Sequence, residues 1–260
     1  MKILIIQTAS IGDVILATAL IDSLHQGMPG ISIDFLVKKG NEHLFPGHPY
    51  LGKVIAWNKQ SEKYSDFLKI LRDVRKSRYD LVINIQRFFM TGLLTVLSGA
   101  IETRGFSKNP LSFLFSRSYR HEVGAGKHEV MRNQLLISGL VTPARIKPVL
   151  FPRRVDIEFV NRYANGLFYT ISPASLWFTK QFPVEKWVEL IKVIPDSATV
   201  YLLGAPNDMD LCNEIILKSG HPRIISLAGK LTLLQSAALM IHARMNFTND
   251  SAPMHRRDRR

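Results

Sequence analysis

Ser10-Ile11-Gly12-Asp13 follows the apolar run ILII (3–6) and leads directly into DVILATALIDSLHQ (13–26). A strand that turns this way into a helix can place its loop against a ligand. Gly12 allows close backbone approach, and the first-turn N–H groups are open donors. Asp13 has two readings here. It is either a helix-start acid favoured by the macrodipole or a general base at the carboxyl edge of a parallel sheet. The loop carries neither GxGxxG nor GK[ST], so it matches neither nucleotide fingerprint. A second stretch, ISPASLWFTKQFPVEKW (171–187), offers hydroxyls at Ser172, Ser175 and Thr179. Its Lys180 is either a cation for a phosphate oxygen or an ordinary solvated lysine, and Pro183 is placed to begin a helix. The third stretch is AGK (228–230), containing Gly229 and Lys230. The fourth is NDSAPMH (249–255), where Asp250 or Ser251 caps a new helix with Pro253 in its first turn. Open N–H groups there suit a diphosphate. His255 is a ligand contact or a plain polar helix residue, and its type does not choose between them.

Other chemistries lack their residues. No His/Glu spacing suggests a metal site, His43 and His48 lie in a Gly/Pro loop and are expected to be solvated, and a GxSxG elbow is absent. Basic residues gather at Arg104, Lys108, Arg117, Arg120, Lys127 and Arg132, either to hold an acidic acceptor or as a solvated face.

The elements that must position these residues alternate strand and helix. KILIIQ (2–7), ISIDFLV (31–37), DLVINIQ (80–86) and ETRGFS (102–107) read as strands. Residues 13–26, 65–78, 90–100 and 128–140 read as helices, with Phe67, Leu68, Leu71 and Val74 expected on one buried face. Strands alternating with helices imply βαβ crossovers, and continuously apolar strands imply a sheet covered on both sides. Residues 141–156 hold three prolines without helical period and read as a linker. The pattern then restarts, with strands at 167–173, 199–205, 223–229 and 244–250 and helices at 185–194, 209–220 and 232–243. The expected architecture is α/β: two Rossmann-like domains, 1–150 and 151–260, with parallel sheets and a cleft between them. The strand and helix start before HRRDRR lead into no further unit, so the second domain is expected to be incomplete, with a sheet edge open to an oligomer partner.

The 260 residues are 46% hydrophobic and 21% charged, enough for a sizeable core. A net charge of +13 favours acidic partners, or is an unspecialised basic surface. Cys212 is the one cysteine, which fits a reducing compartment and excludes an internal disulfide. The N-terminal apolar run is short for a signal peptide and reads better as a core strand. No apolar stretch is long enough to span a membrane, so membrane contact would be peripheral. Aromatic residues do not interleave with the basic ones, and no nucleic-acid motif is present, so nucleic acid is not an expected partner.

Taken together and in order, KILIIQTASIGDVILATALIDSL, SPASLWFTKQFPVEKW, LAGKLTLLQSAALM and NDSAPMH resemble the ADP-heptose:lipopolysaccharide heptosyltransferases. These are inverting GT-B glycosyltransferases. The resemblance implies Asp13 as catalytic base and Lys180 as the cation that neutralises the departing diphosphate. It also implies a donor site drawing on Ser10, Gly12, Ser172, Thr179, Gly229, Lys230, Asp250, Ser251, Ala252 and His255. Ala252 stands where the family often has Gly. Arg104, Arg117, Arg120 and Arg132 are the acceptor-side candidates. The resemblance further implies ADP-heptose as donor, a lipopolysaccharide-core acceptor at the membrane surface, no metal or cofactor, and a cytoplasmic, peripheral location. The family continues past the histidine where this chain has HRRDRR. The alternative function is therefore a remnant that binds ADP-sugar or phosphorylated glycolipid without turnover.

Overall fold

The computed structural model describes residues 1–59, 63–122, 128–142, 146–175 and 178–249. The chain divides into two compact units, Met1–Val149 and Leu150–Arg260.

The first unit runs β1 (Lys2–Gln7), α1 (Ile11–Gly27), β2 (Ser32–Lys38), β3 (Leu51–Trp57) and α2 (Lys63–Ser77). It continues through β4 (Leu81–Asn84), α3 (Phe89–Leu97), β5 (Glu102–Phe106), β6 (Arg117–Tyr119) and α4 (Glu129–Gln134). Its strands pair in parallel in the order β3-β2-β1-β4-β5-β6. The inner strands are the apolar runs: Ile3 to Ile6 and Leu81 to Ile83 have no solvent exposure. Burial on both faces is what a continuous apolar strand requires. Two of these strands, β3 and β6, were not expected from the sequence, and both are sheet edges.

Helix α1 is buried from Val14 to Leu24, on almost every side. One side faces the sheet. On another, Gln134 Nε2 donates to Ala19 O at 3.2 Å and Ser23 Oγ at 2.7 Å, and Val149 N donates to Thr18 Oγ1 at 2.9 Å. These contacts satisfy polar groups that would otherwise be costly to bury. Helix α2 buries Phe67, Ile70 and Val74 against Trp57, Tyr79 and Leu94, whereas Leu68 is 63% exposed. The face expected from spacing is therefore rotated, with Ile70 in the place given to Leu68.

The second unit runs α5 (Arg154–Val160), β7 (Phe168–Ser172), α6 (Val184–Lys192), β8 (Thr199–Leu202) and α7 (Met209–Ser219). It ends with β9 (Ile224–Ser226), α8 (Leu233–His242) and β10 (Met245–Thr248). The four strands are parallel in the order β10-β7-β8-β9. Helix α5 lies just after the Pro-rich stretch and packs on α8. It too was not expected, because its first residues fall in the segment read as linker. The start of α8 is fixed by a capping box, in which Gln235 N donates to Thr232 Oγ1 and Thr232 N to Gln235 Oε1.

Candidate functional site

In open parallel sheets, ligands bind beyond the carboxyl ends of the strands where the strand order reverses. The first unit reverses between β1 and β4, and the second between β7 and β10. The loops at these two points carry Asp13 and Lys180, respectively.

At the first point, Gln7 ends β1 and Gln86 follows β4, both buried, and Gln86 Nε2 donates to Gln7 Oε1 across the reversal. Ala9 N donates to the same Gln7 oxygen at 3.3 Å. From the β2 side, Asn41 Nδ2 donates to Ala9 O at 3.2 Å, and beyond β3 Lys59 Nζ donates to Thr8 Oγ1 at 2.7 Å. The β1–α1 loop is thus tied down from both flanks before the helix begins. Neither Gln7, Asn41, Lys59 nor Gln86 was singled out by sequence. Their polar side chains gain meaning only from strand order.

Helix α1 starts at Ile11 with Ser10 as its N-cap residue, yet Ser10 makes no side-chain cap bond. Its hydroxyl instead donates to Asp13 Oδ2 at 2.7 Å. Asp13 is partly exposed and engages a hydroxyl at the distance a general base requires. The first intrahelical bond runs from Val14 N to Ser10 O, so the N–H groups of Ile11, Gly12 and Asp13 precede the helical ladder. A methyl group on Gly12 would meet only Ser10 Oγ, at 4.0 Å. The fold itself therefore has no packing need for glycine there.

At the second point, Asn249 follows β10 and is buried. Its Nδ2 donates to Pro173 O at 2.6 Å, and its Oδ1 accepts from Phe182 N at 3.1 Å. One side chain thus holds both ends of the loop that follows β7. Within that loop, Gln181 Nε2 donates to Ser175 O at 2.9 Å, and Thr179 and Lys180 stand exposed on a 3₁₀ turn, Phe178–Lys180. Ser172 is buried as the last residue of β7, in register with Thr248. Asn249 sits in the quoted NDSAPMH stretch, but its type alone gave no hint of this bracing role. Asp250, Ser251, Ala252 and His255 lie outside the described residues.

Gly229 and Lys230 follow β9, which is separated from β7 by β8 and so lies roughly 10 Å from it. Gly229 has φ +72°, and a Cβ there would come within 3.1 Å of Pro206 Cα. Its glycine is therefore required by the turn itself. Lys230 Nζ donates to Ser226 O at 2.9 Å from an exposed position.

The basic group separates into different roles. Arg104 is only 1% exposed; it pairs with Glu102 at 2.8 Å and donates to the carbonyls of Leu136 and Ser138 at 3.2 and 2.9 Å. The expectation that it contacts an acceptor is corrected: its guanidinium is used inside the fold. Arg117 is half exposed and pairs with the same Glu102 at 3.0 Å, and Arg120 is well exposed, 3.7 Å from Glu122. Arg120 and Arg132 line a cavity of about 260 Å³ with Tyr119, Glu122 and Leu135. Arg132 and His121 both bond Glu129. Burial alone would raise the Glu129 carboxyl, but the bonds from Arg132 and His121 outweigh it and hold the group below its ordinary value. Lys127 lies outside the described residues.

His48 is also corrected. It is buried rather than solvated, near Phe45 and Tyr50, and burial pushes its pKa down to about 4. Among the described residues, no three His, Cys, Asp or Glu side chains gather as a metal site would require. No described helix is long and apolar enough to cross a membrane.

The model of glycosyltransferase family 9 (heptosyltransferase) matches residues 67–256. Lipopolysaccharide heptosyltransferase 3 of Escherichia coli is 25% identical over 259 residues, covering 94% of this chain and 76% of that protein. Among solved structures, ADP-heptose lipopolysaccharide heptosyltransferase II of Escherichia coli superposes with a TM-score of 0.82 at 22% identity, covering 98% of this chain and 81% of that one. Heptosyltransferase WaaC of Escherichia coli, solved with ADP, gives 0.78 at 21% identity, with 98% and 83% covered. At these identities the structural likeness speaks to the fold: α/β, with parallel sheets of the heptosyltransferase type.

Proposed function

The chain belongs to glycosyltransferase family 9, the heptosyltransferases, and from that premise we propose that it moves a heptose from ADP-heptose to an inner-core lipopolysaccharide acceptor with inversion. The observation that carries the reading is Asp13, a carboxylate already engaging a hydroxyl at the point where the first sheet reverses.

The acceptor hydroxyl oxygen attacks the anomeric carbon as the bond from that carbon to the ADP oxygen breaks. The hydroxyl proton passes to Asp13, and the bonding pair leaves with ADP. A hydroxyl at the distance of Ser10 Oγ from Asp13 would be activated in this way. Lys180 supplies positive charge to the departing diphosphate, a preorganised electrostatic contribution. Asn249 acts through it as a positioning residue, since it fixes both ends of the Lys180 loop. The second unit takes the donor and the first takes the acceptor, whose acidic groups suit Arg120 and Arg132 at the 260 Å³ cavity. The proposed mechanism uses no metal or resident cofactor, and the site of action we propose is the cytoplasmic membrane surface, where a lipid-linked acceptor would be presented.

The test is ADP release from ADP-heptose in the presence of a heptose-acceptor lipid. Wild type should release ADP, and Asp13→Ala should abolish release while retaining ADP affinity. ADP binding by wild type without turnover would instead favour a non-catalytic binder. Failure to bind either ADP or acceptor would sink the reading.

A further inference from the structure

We infer that the loops after β4 and β5 form a docking surface for an anionic lipid bilayer, with Phe88, Phe89, Phe113 and Leu114 as its apolar tips. The inference rests on the reading above for its biological sense, but its physical basis is independent of transfer chemistry.

Phe113 is 77% exposed, and Leu114, Phe88 and Phe89 are each about half exposed. Strands β4 and β5 are parallel neighbours, so both loops leave the same edge of the sheet. Asn109 joins them, its Nδ2 donating to Gln86 O and to Phe88 O, both at 3.0 Å. The joint is close-packed, because a Cβ on Gly92 would run into the Asn109 amide.

The tips are held out by a locked loop. Leu111 N donates to Asn109 Oδ1, Ser112 Oγ to Ser107 O, Leu114 N to Leu111 O, and Phe115 N to Ser112 O. Phe115 itself is buried, with its ring lying on Gly105 where no Cβ would fit. Of three consecutive apolar residues, one anchors the turn and the other two are presented to solvent. A contiguous exposed apolar group of this kind marks an interaction surface.

Charge decides what kind of partner it fits. Arg87, Lys108 and Arg120 are exposed around these tips. Between Arg87 and Arg120 the only acid is Glu102, and Arg104 and Arg117 occupy it. Arg120 lies 3.7 Å from Glu122 but remains well exposed, so the tips are flanked by an excess of positive charge. That combination suits an anionic membrane interface, where aromatic side chains enter the headgroup boundary and cations meet the lipid charge. The surface also lies at the sheet edge that carries Asp13, one strand from β1. A lipid-anchored acceptor could remain in the bilayer while its sugar reaches the base.

Vesicle co-sedimentation of the full chain tests this with no sugar nucleotide or acceptor present. Wild type should partition onto phosphatidylglycerol/phosphatidylcholine vesicles at least tenfold more strongly than onto phosphatidylcholine alone, and high salt should weaken it. Phe113→Ser/Leu114→Ser should lose at least tenfold in partitioning. Ile101→Ser, at 82% exposure on the opposite edge of the sheet, should lose nothing. The inference is overturned if wild type ignores anionic vesicles or if the double variant binds them as well as wild type. It is equally overturned if the double variant instead breaks a dimer that never binds vesicles. Vesicle binding without ADP release would leave this surface standing and remove the transferase reading.

Discussion

Gly12→Ala separates what the fold needs from what a ligand needs. Glycine in a helix costs about 0.5–1 kcal/mol relative to alanine, because it surrenders more backbone freedom on folding. Gly12 lies in the first turn of α1 with an ordinary negative φ, and a new methyl would find only Ser10 Oγ, at 4.0 Å. Nothing in the fold opposes the substitution, so it should stabilise the protein by about 0.5 kcal/mol, the low end fitting a terminal turn. For a unit of about 150 residues that amounts to roughly 1–2 °C in melting temperature. If the glycine is kept so that substrate can approach the backbone, the same methyl should lower kcat/KM for ADP release tenfold or more, about 1.4 kcal/mol. Calorimetry and a coupled ADP assay on the same preparation read both quantities. A lower melting temperature would refute the packing argument. A raised melting temperature with unchanged kcat/KM would refute the close-approach argument.

Asn249→Ala should destabilise the second unit by about 2–4 kcal/mol, since Pro173 O and Phe182 N–H both lose their partner. Hydrogen exchange at Phe182 should speed up, and the donor KM should rise as the Lys180 loop loosens. Arg104→Met should cost about 2–4 kcal/mol of stability, because the Leu136 and Ser138 carbonyls lose their donor while Glu102 keeps Arg117. Whatever protein folds should keep its acceptor KM, and a selective KM effect at full stability would return Arg104 to the acceptor site. His48, with its pKa lowered from 6.5 to about 4, should be neutral in the fold and protonate more readily unfolded. The unfolded chain then binds more protons between these values, so stability should fall as pH drops from about 6.5 toward 4. The limit is about 3 kcal/mol, and a urea-midpoint series in which His48→Gln shows the same slope as wild type would disprove it.

Much of the fold was legible because burial on both sheet faces leaves a plain mark in the chain. ILII and LVI read as central strands because a short, continuously apolar run bounded by polar residues fits a strand covered on both faces, and each is fully buried. The two missed strands, β3 and β6, are the sheet edges, where only part of each strand is covered and the mark fades. Helix α5 escaped notice for a similar reason: Val155, Ile157 and Phe159 remain partly exposed, next to prolines that suggest a linker. Asp13 and Lys180 could be singled out because each follows a recognisable strand, and resemblance supplied their roles.

Their surroundings could not be read this way. An arginine in sequence carries only its charge; tertiary packing turned Arg104 inward onto Glu102 and two carbonyls while leaving Arg120 in solvent. Spacing could not place Gln86 on Gln7, 79 residues away, or Asn249 on Pro173, 76 residues away. The sequence determines which segments become the central strands and which residues open their loops, because continuous burial marks those in the local pattern. Which loops meet, and which polar side chains brace them, depends on the order in which parallel strands pair, and that is decided only when the sheets assemble.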